Sequence, residues 1–308
     1  MRAIVSSPTG PVFQEFEEPI AGPGFVKVRV KAAALNRADM AMLTGASHGV
    51  AGGMGMPLGL EWAGEVVEVG AGVEHISVGD RVMAAGPGAF CEYAVALEDW
   101  VYLIPDNMSY EQAAALPVAL QTAHDAVASN GQLVAGQTVL IQGASSVVGL
   151  MAMQVAKLLG AGKVIGTSTT QERVQRLAAF GADQGINTRD EDWVKQVLKA
   201  TRMKGVDLVI DFLGGPYLNP TMQATRLGGR IVNVGRMAGD QAEVDLDLHS
   251  RRRIQYVGVT FRTRTPAEIT DVIARATRAL MHALRDGTLQ IPVDQVYAFD
   301  QVQDAFAR

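Results

Sequence analysis

A two-part α/β architecture, with a β-rich front and a doubly wound parallel sheet behind it, is what this sequence predicts. Three observations carry that prediction. Up to about Leu103 the chain consists of short β-branched or alternating runs cut by Gly and Pro. From Thr138 onward, apolar strand-like runs alternate with helical segments across short connections, the pattern of a parallel sheet covered by helices on both faces. The 308 residues also exceed the usual size of one hydrophobic core.

The front strands are AIVSS, VKVRVKAAAL, AGEVVEVG, DRVMAA and CEYAVAL; VKVRVKA alternates apolar and charged residues as a half-buried strand does. The turns PGFV, GAGVEHISVGD and AGPGAF separate them. Ser109, with Gln112 three residues on, opens a helical stretch running through AAALPVALQTAHDAVAS. Then follow TVLIQ (strand), SSVVGLMAMQVAKLLG (helix), KVIGTS (strand), TQERVQRLAAFG (helix), DQGIN (strand) and DEDWVKQVLKATR (helix). VDLVIDFL (strand), LNPTMQATRLG (helix), RIVNVG (strand) and IQYVGVT (an added strand) complete the sheet. The tail offers a long helix from Pro266, stopped at Gly287, and a strand-like run, VDQVYAF, expected to pack back on the front part. No internal repeat is present.

A net charge of −5, with no basic run longer than Arg251-Arg252-Arg253, gives no footprint for nucleic acid or an anionic membrane. Small-molecule partners are expected. Cys91 is the only cysteine, so neither an intrachain disulfide nor a thiolate cluster can form. No signal-peptide core or run of about 18 apolar residues occurs, and a cytoplasmic location is the expectation.

The chemistry concentrates at GASSVVG, Gly143 to Gly149, between the strand TVLIQ and its helix. The first N–H groups of a helix are unpaired and point outward, so such a turn binds a pyrophosphate. Gly143 makes the tight turn, and Gly149 lets the helix lie close to the strand. Ser146 holds the middle position, where its hydroxyl is a potential phosphate donor; Ser145, Val147 and Val148 complete the candidate site. Any strand-to-helix turn collects Gly, Ala and Ser, so the motif alone does not decide. The next strand ends without the Asp or Glu that would hold an unphosphorylated ribose, and offers Ser168, Thr169, Thr170 and then Arg173. That favours a 2′-phosphate and hence NADPH, although Arg173 equally fits a solvated charge in the first turn of a helix.

With these residues in view, the sequence resembles the medium-chain dehydrogenase/reductase superfamily, in its zinc-independent quinone oxidoreductase branch, which includes ζ-crystallin. GLEWAGEVVEVGAGVEHISVGDRVMA, Gly59 to Ala84, is similar to the family's catalytic-domain signature, with GAFCEYAV following, and GQTVLIQGASSVVGLMAMQVAK tracks the nucleotide-binding pattern. It departs at Ser146 and Val147, where the family usually carries two glycines. The resemblance implies a GroES-like catalytic domain over residues 1–118 with 264–308, and a Rossmann NADPH-binding domain over 119–263. It further implies a cofactor cleft between them and a homodimer. Zinc-dependent relatives place Cys and His where this chain has Asn36 and Leu60. The four-cysteine insertion is missing, and His48, His75, His124, His249 and His282 show no ligand spacing, so no metal is expected.

Without a metal or a cysteine nucleophile, the expected chemistry is hydride transfer to an acceptor that is already electron-poor, a quinone or an α,β-unsaturated carbonyl. By family position Asn36 sits beside the nicotinamide and acceptor carbonyl, with a loop Asn bonding its own backbone as the plainer reading. Gln121 and Thr122 correspond to the segment touching the nicotinamide side, or are a polar pair inside a helix. Val234, Gly235 and Arg236 match the strand end lining the nicotinamide ribose. Arg264, in FRTRT, borders the cleft or is simply a solvated surface residue. Departures fall in TGASHG, which stands where relatives carry tyrosines and leaves His48 bordering acceptor or loop, in AGGMGM, a lid or an ordinary loop, and at Thr188, where some relatives have Tyr. The chain also ends at AFAR, short of the family's final strand. The alternatives are an enoyl-thioester reductase and a non-catalytic, crystallin-like NADPH-binding protein.

Overall fold

The computed structural model describes residues 1–49 and 51–308, which form two compact units, each with its own core. The first comprises residues 1–118, 261–286 and 291–308; the second, residues 119–260 and 287–290.

The first unit opens with an antiparallel hairpin, β1 (Arg2–Ser7) and β2 (Gly10–Glu15), followed by β3 (Phe25–Ala33) and a short helix, α1 (Arg37–Met42). A two-residue pair, β4 (Ser47–His48) and β5 (Ala51–Gly52), stands where TGASHG meets AGGMGM. Next come β6 (Glu61–Val69), β7 (Arg81–Ala85), β8 (Tyr93–Leu97) and β9 (Val101–Leu103). Five of these strands form one antiparallel sheet in the order β8-β3-β6-β7-β9. The alternation in VKVRVKA is realised in part: Val26 and Val28 are fully buried against Trp62, Val66 and Val82 and Arg29 is exposed, but Lys27 is buried too, its ammonium paired with Glu18 and Glu68. Ser109 caps α2 (Tyr110–Ala114), with Gln112 closing the reciprocal box. Pro117 lacks the N–H needed to continue that helix, so α3 (Pro117–His124) is a separate one, extended by a π turn over Asp125–Asn130.

The second unit follows the alternation. β10 (Thr138–Gln142), α4 (Val147–Leu158), β11 (Lys163–Ser168), α5 (Gln171–Arg176), β12 (Gln184–Asn187) and α6 (Trp193–Ala200) make the first half. β13 (Val206–Asp211), α7 (Leu218–Ala224), β14 (Thr225–Asn233), α8 (Leu246–Arg252) and β15 (Gln255–Gly258) make the second. All six strands are parallel, ordered β12-β11-β10-β13-β14-β15. The sheet therefore winds one way from β10 and then restarts at β13 in the other, which opens a crevice at the carboxyl ends of these two neighbours. Val139, Leu140, Ile141, Val209 and Ile210 are fully buried, as strands covered on both faces require.

Two expectations for the second half of the chain need correction. The helix expected over LNPTMQATRLG ends at Ala224: Thr225 already pairs with Val206, and Gly228, at φ +69, lets the next residues loop out before Arg230 pairs with Leu208. The expected strand VDQVYAF is absent, because its alternation finds no partner strand among the described residues. The chain returns to the first unit through the amphipathic α9 (Pro266–Arg285), capped by Thr265 and Glu268, and finishes in α10 (Val302–Ala307). Sequence reading missed α10, whose Val302 and Phe306, four residues apart, enter the core of the first unit and set Phe306 edge-on to Phe90.

Candidate active site

The turn after β10 is a tight, close-packed strand-to-helix turn. Gly143 sits at φ +76, and Gly149 lies so close to the turn that a Cβ there would stand 2.7 Å from Gly143 O and 2.8 Å from Ala144 Cα. Ser146 is the N-cap of α4: its Oγ accepts the Gly149 N–H at 3.2 Å and donates to Gly143 O at 2.9 Å. The Ser146 hydroxyl, expected as a phosphate donor, here serves the turn itself. The N–H groups left without a partner among the described residues are those of Ser145, Val147 and Val148. Three such donors at the positive end of a twelve-residue helix suit a pyrophosphate.

A buried side-chain chain invisible to sequence reading holds this turn. Gln142 Nε2 donates to Thr221 Oγ1 at 3.1 Å, Thr167 Oγ1 donates to Gln142 Oε1 at 2.7 Å, and the Gly143 N–H donates to Thr167 Oγ1 at 3.1 Å. All three side chains are fully buried. Because an orphaned amide at Gly143 costs about 1–3 kcal/mol, Thr167→Val is expected to destabilise the protein by about that amount and to weaken cofactor binding, with Thr167→Ser restoring both. Denaturant titration beside cofactor titration reads the pair.

At the end of β11, Ser168 Oγ pairs with Ser145 Oγ at 2.9 Å, so these two candidate residues meet, and Thr188 closes the strand end by donating its N–H to Ser168 O at 2.9 Å. Thr169 and the α5 cap Thr170 lead to Arg173, which is exposed and makes no salt bridge among the described residues. Across the switch point, Asp211 is fully buried and accepts the N–H groups of Leu213 and Gly214 at 2.9 and 3.1 Å, while its carbonyl takes the N–H of Val234 at 2.8 Å. It thereby anchors both loops beside the crevice, including Val234, Gly235 and Arg236, and burial raises its pKa. Gln121 and Thr122 are buried in α3, and Gln121 Oε1 has no hydrogen-bond partner among the described residues. An open buried acceptor of this kind can take a donor from a water or a ligand.

In the first unit, Asn36 starts α1 with its side chain turned away from its own backbone. Nδ2 donates to Glu61 Oε1 at 2.9 Å, while the Asn36 N–H goes to Asp39 Oδ2 at 2.6 Å. Glu61 Oε2 also accepts the Val118 N–H at 2.9 Å. Burial pushes Asp39 up to about 7, against the backbone N–H groups of Asn36 and Gly59. It pushes Glu61 up to about 8, with Asp39 adding in the same direction and Val118 and Asn36 opposing. Asn36 is thus tied into a buried carboxyl pair, which replaces the plainer reading of a loop Asn bonded to itself. Arg264 rests its guanidinium 5.0 Å from the Phe261 ring centroid. His48 is half-buried and pairs in register with Ala51; burial, then the charge of Arg262, lowers its pKa. Among the described residues, no three His, Cys, Asp or Glu side chains converge as metal ligands.

Known proteins share this architecture. Residues 22–106 match the alcohol dehydrogenase GroES-like domain, and residues 147–278 match the zinc-binding dehydrogenase family. Quinone oxidoreductase from Sus scrofa is 29% identical over 289 residues, covering 93% of this chain and 85% of its own length. Among solved structures, the Pseudomonas syringae pv. tomato DC3000 quinone oxidoreductase is 30% identical with a TM-score of 0.86, covering 99% of this chain and 95% of that one. The Escherichia coli quinone oxidoreductase complexed with NADPH is 27% identical, also with a TM-score of 0.86 and the same coverage. With both halves of its fold matched by family and a near-full-length relative at this level of identity, the chain belongs to the medium-chain dehydrogenase/reductase superfamily, in its quinone oxidoreductase branch.

Proposed function

We propose that this NADPH-dependent oxidoreductase reduces quinones or α,β-unsaturated carbonyls by hydride transfer without zinc. The observation that carries the reading is the nucleotide end of the second unit: three free N–H groups at the start of α4, facing a β11 terminus that ends in Ser168 rather than a carboxylate. Bound NADPH supplies the hydride. The N–H groups of Ser145, Val147 and Val148 hold its pyrophosphate, Ser168, Thr169 and Arg173 its 2′-phosphate end, and Gln121, Thr122 and Val234 to Arg236 its nicotinamide end. Asn36 donates from Nδ2 to the acceptor carbonyl as negative charge develops there, and Arg264 borders the acceptor. Asn36 and Leu60, standing where zinc-dependent relatives carry Cys and His, support the zinc-free reading.

NADPH oxidation with 1,2-naphthoquinone, an alkenal and a 2-enoyl thioester tests the proposal. Turnover with the first two supports it. Turnover with the thioester alone makes the chain an enoyl-thioester reductase, and tight NADPH binding with no turnover across a broad panel makes it a non-catalytic binder. A charge-assisted phosphate contact is worth about 1–3 kcal/mol, so Arg173→Ala is expected to weaken NADPH by that amount and leave NADH nearly unchanged. Equal weakening of both removes Arg173 from the phosphate site. A homodimer is part of the reading, supported by the exposed outermost strand β15, and light scattering on the purified protein checks it. A cytoplasmic location also belongs to it; no helix among the described residues is long and apolar enough to cross a membrane.

A further inference from the structure

Glu61 is 3% exposed at the first position of β6, and both of its oxygens are committed, Oε1 to Asn36 Nδ2 and Oε2 to the Val118 N–H. We infer that Glu61 is a positioning residue for the reduction: it holds the Asn36 amide in one of its two orientations, leaving the second N–H of Nδ2 for the acceptor carbonyl. The inference rests on Asn36 serving the acceptor as proposed above.

A primary amide has nearly the same shape either way round, so only its partners decide which end points where. Above about pH 8, where Glu61 is ionised, its carboxylate has no proton to give and accepts only, which draws the NH2 end toward itself. Nδ2 carries two hydrogens, and Glu61 takes one. The Asn36 backbone adds no further choice, because its N–H is already held by Asp39. Glutamine at position 61 would break this logic. With one oxygen and one NH2, it can accept from Val118 only by presenting its own NH2 to Asn36, and the Asn36 amide must then turn over and carry its free N–H away.

The groups acting on Glu61 come from the elements packed around it: Asp39 and Asn36 from α1 and its cap, and the first turn of α3 through Val118. Asp39 disfavours the charged form and the two donors favour it; no cation contributes. Deprotonated Glu61 is therefore held only by the hydrogen bonds that orient Asn36 and anchor Val118.

Glu61→Gln and Asn36→Ala, made singly and together and assayed with NADPH and 1,2-naphthoquinone at about pH 9.5, where Glu61 is ionised, provide the test. Displacing one donor at a developing charge costs about tenfold or more, so each single change is expected to lower kcat by that factor with KM for NADPH unchanged. The double variant should be no slower than Asn36→Ala alone, because once the amide is gone there is nothing left to orient. Losses that multiply in the double variant, or wild-type kcat in Glu61→Gln beside a slow Asn36→Ala, overturn the inference while leaving Asn36 its role. Wild-type kcat in Asn36→Ala overturns the role and the inference together. The wild-type chain supplies a readout immune to misfolding: the Asn36 side-chain amide NMR signals, identified by their loss in Asn36→Ala, should move between about pH 6.5 and 9.5 as Glu61 titrates. Signals that stay fixed over that range also overturn the inference.

Discussion

Thermal unfolding of the wild-type protein should fall to lower temperature as pH rises from about 5 to about 8.5, and Glu61→Gln should remove much of that slope. In the folded chain burial holds Glu61 protonated up to about 8 and Asp39 up to about 7, and raises Asp211 in the same sense, whereas unfolded carboxyls release their protons near pH 4. Within that window the folded state carries protons that the unfolded state has lost, so each increment of pH favours unfolding. The contribution is complete below about pH 4 and disappears as pH passes the folded values. For Glu61 alone, the interval from 4.5 to about 8 corresponds to about 5 kcal/mol, shared in practice with Asp39 because the two titrate together. Asp183, Glu92 and Glu98 are held below their ordinary values and act at lower pH, outside this window. His48, lowered by burial, works in the opposite sense only up to about pH 6.5. Scanning fluorimetry across this range on wild type, Glu61→Gln and Asp39→Asn reads the effect; parallel curves for all three would falsify it.

Gly149→Ala should cost about 1–3 kcal/mol of stability and at least about tenfold in NADPH affinity, and Gly149→Val more of both. The reason is what surrounds the missing side chain. A Cβ at this position meets Gly143 O, Ala144 Cα and Ala144 O, all within 2.8 Å and all backbone, so no side chain can swing aside. Either α4 lifts away from β10 or the turn opens, and both displace the N–H groups of Ser145, Val147 and Val148 relative to one another. Ser146→Gly is the contrast: it loses the cap on the Gly149 N–H but adds no atoms, and a cap changed to Gly costs only a few tenths of a kcal/mol. Calorimetric NADPH titration of both variants decides. Wild-type affinity in a folded Gly149→Ala protein would mean that this turn does not carry the pyrophosphate.

These contacts also explain what was legible in the sequence. The order of strands and helices was readable because it is local: apolar periodicity and the Ser109 cap act within a turn or two of where they stand, whereas the break at Pro117 inside the stretch expected to be one helix was not read. The same locality made VDQVYAF misleading, since alternation states that one face is apolar but not that a neighbouring strand exists to pair with it. The final helix was hidden for a related reason. Val302 and Phe306 make too short a stripe to read, and only the core around Phe90 gives them meaning.

Within the site the division is sharper. The sequence by itself determined the tight strand-to-helix turn, because Gly143 and Gly149 act through local backbone conformation and close approach. It also determined that β11 ends without an acid and that Asn36 and Leu60 stand at the positions considered for metal ligands. Only the tertiary structure decided where the polar side chains turn: Asn36 toward Glu61, 25 residues on, and Gln142 toward Thr167 and Thr221, 25 and 79 residues on. A hydrogen bond needs its partners within about 3 Å, whatever their distance along the chain, so its direction is settled by how strands are ordered and helices laid down rather than by composition or spacing.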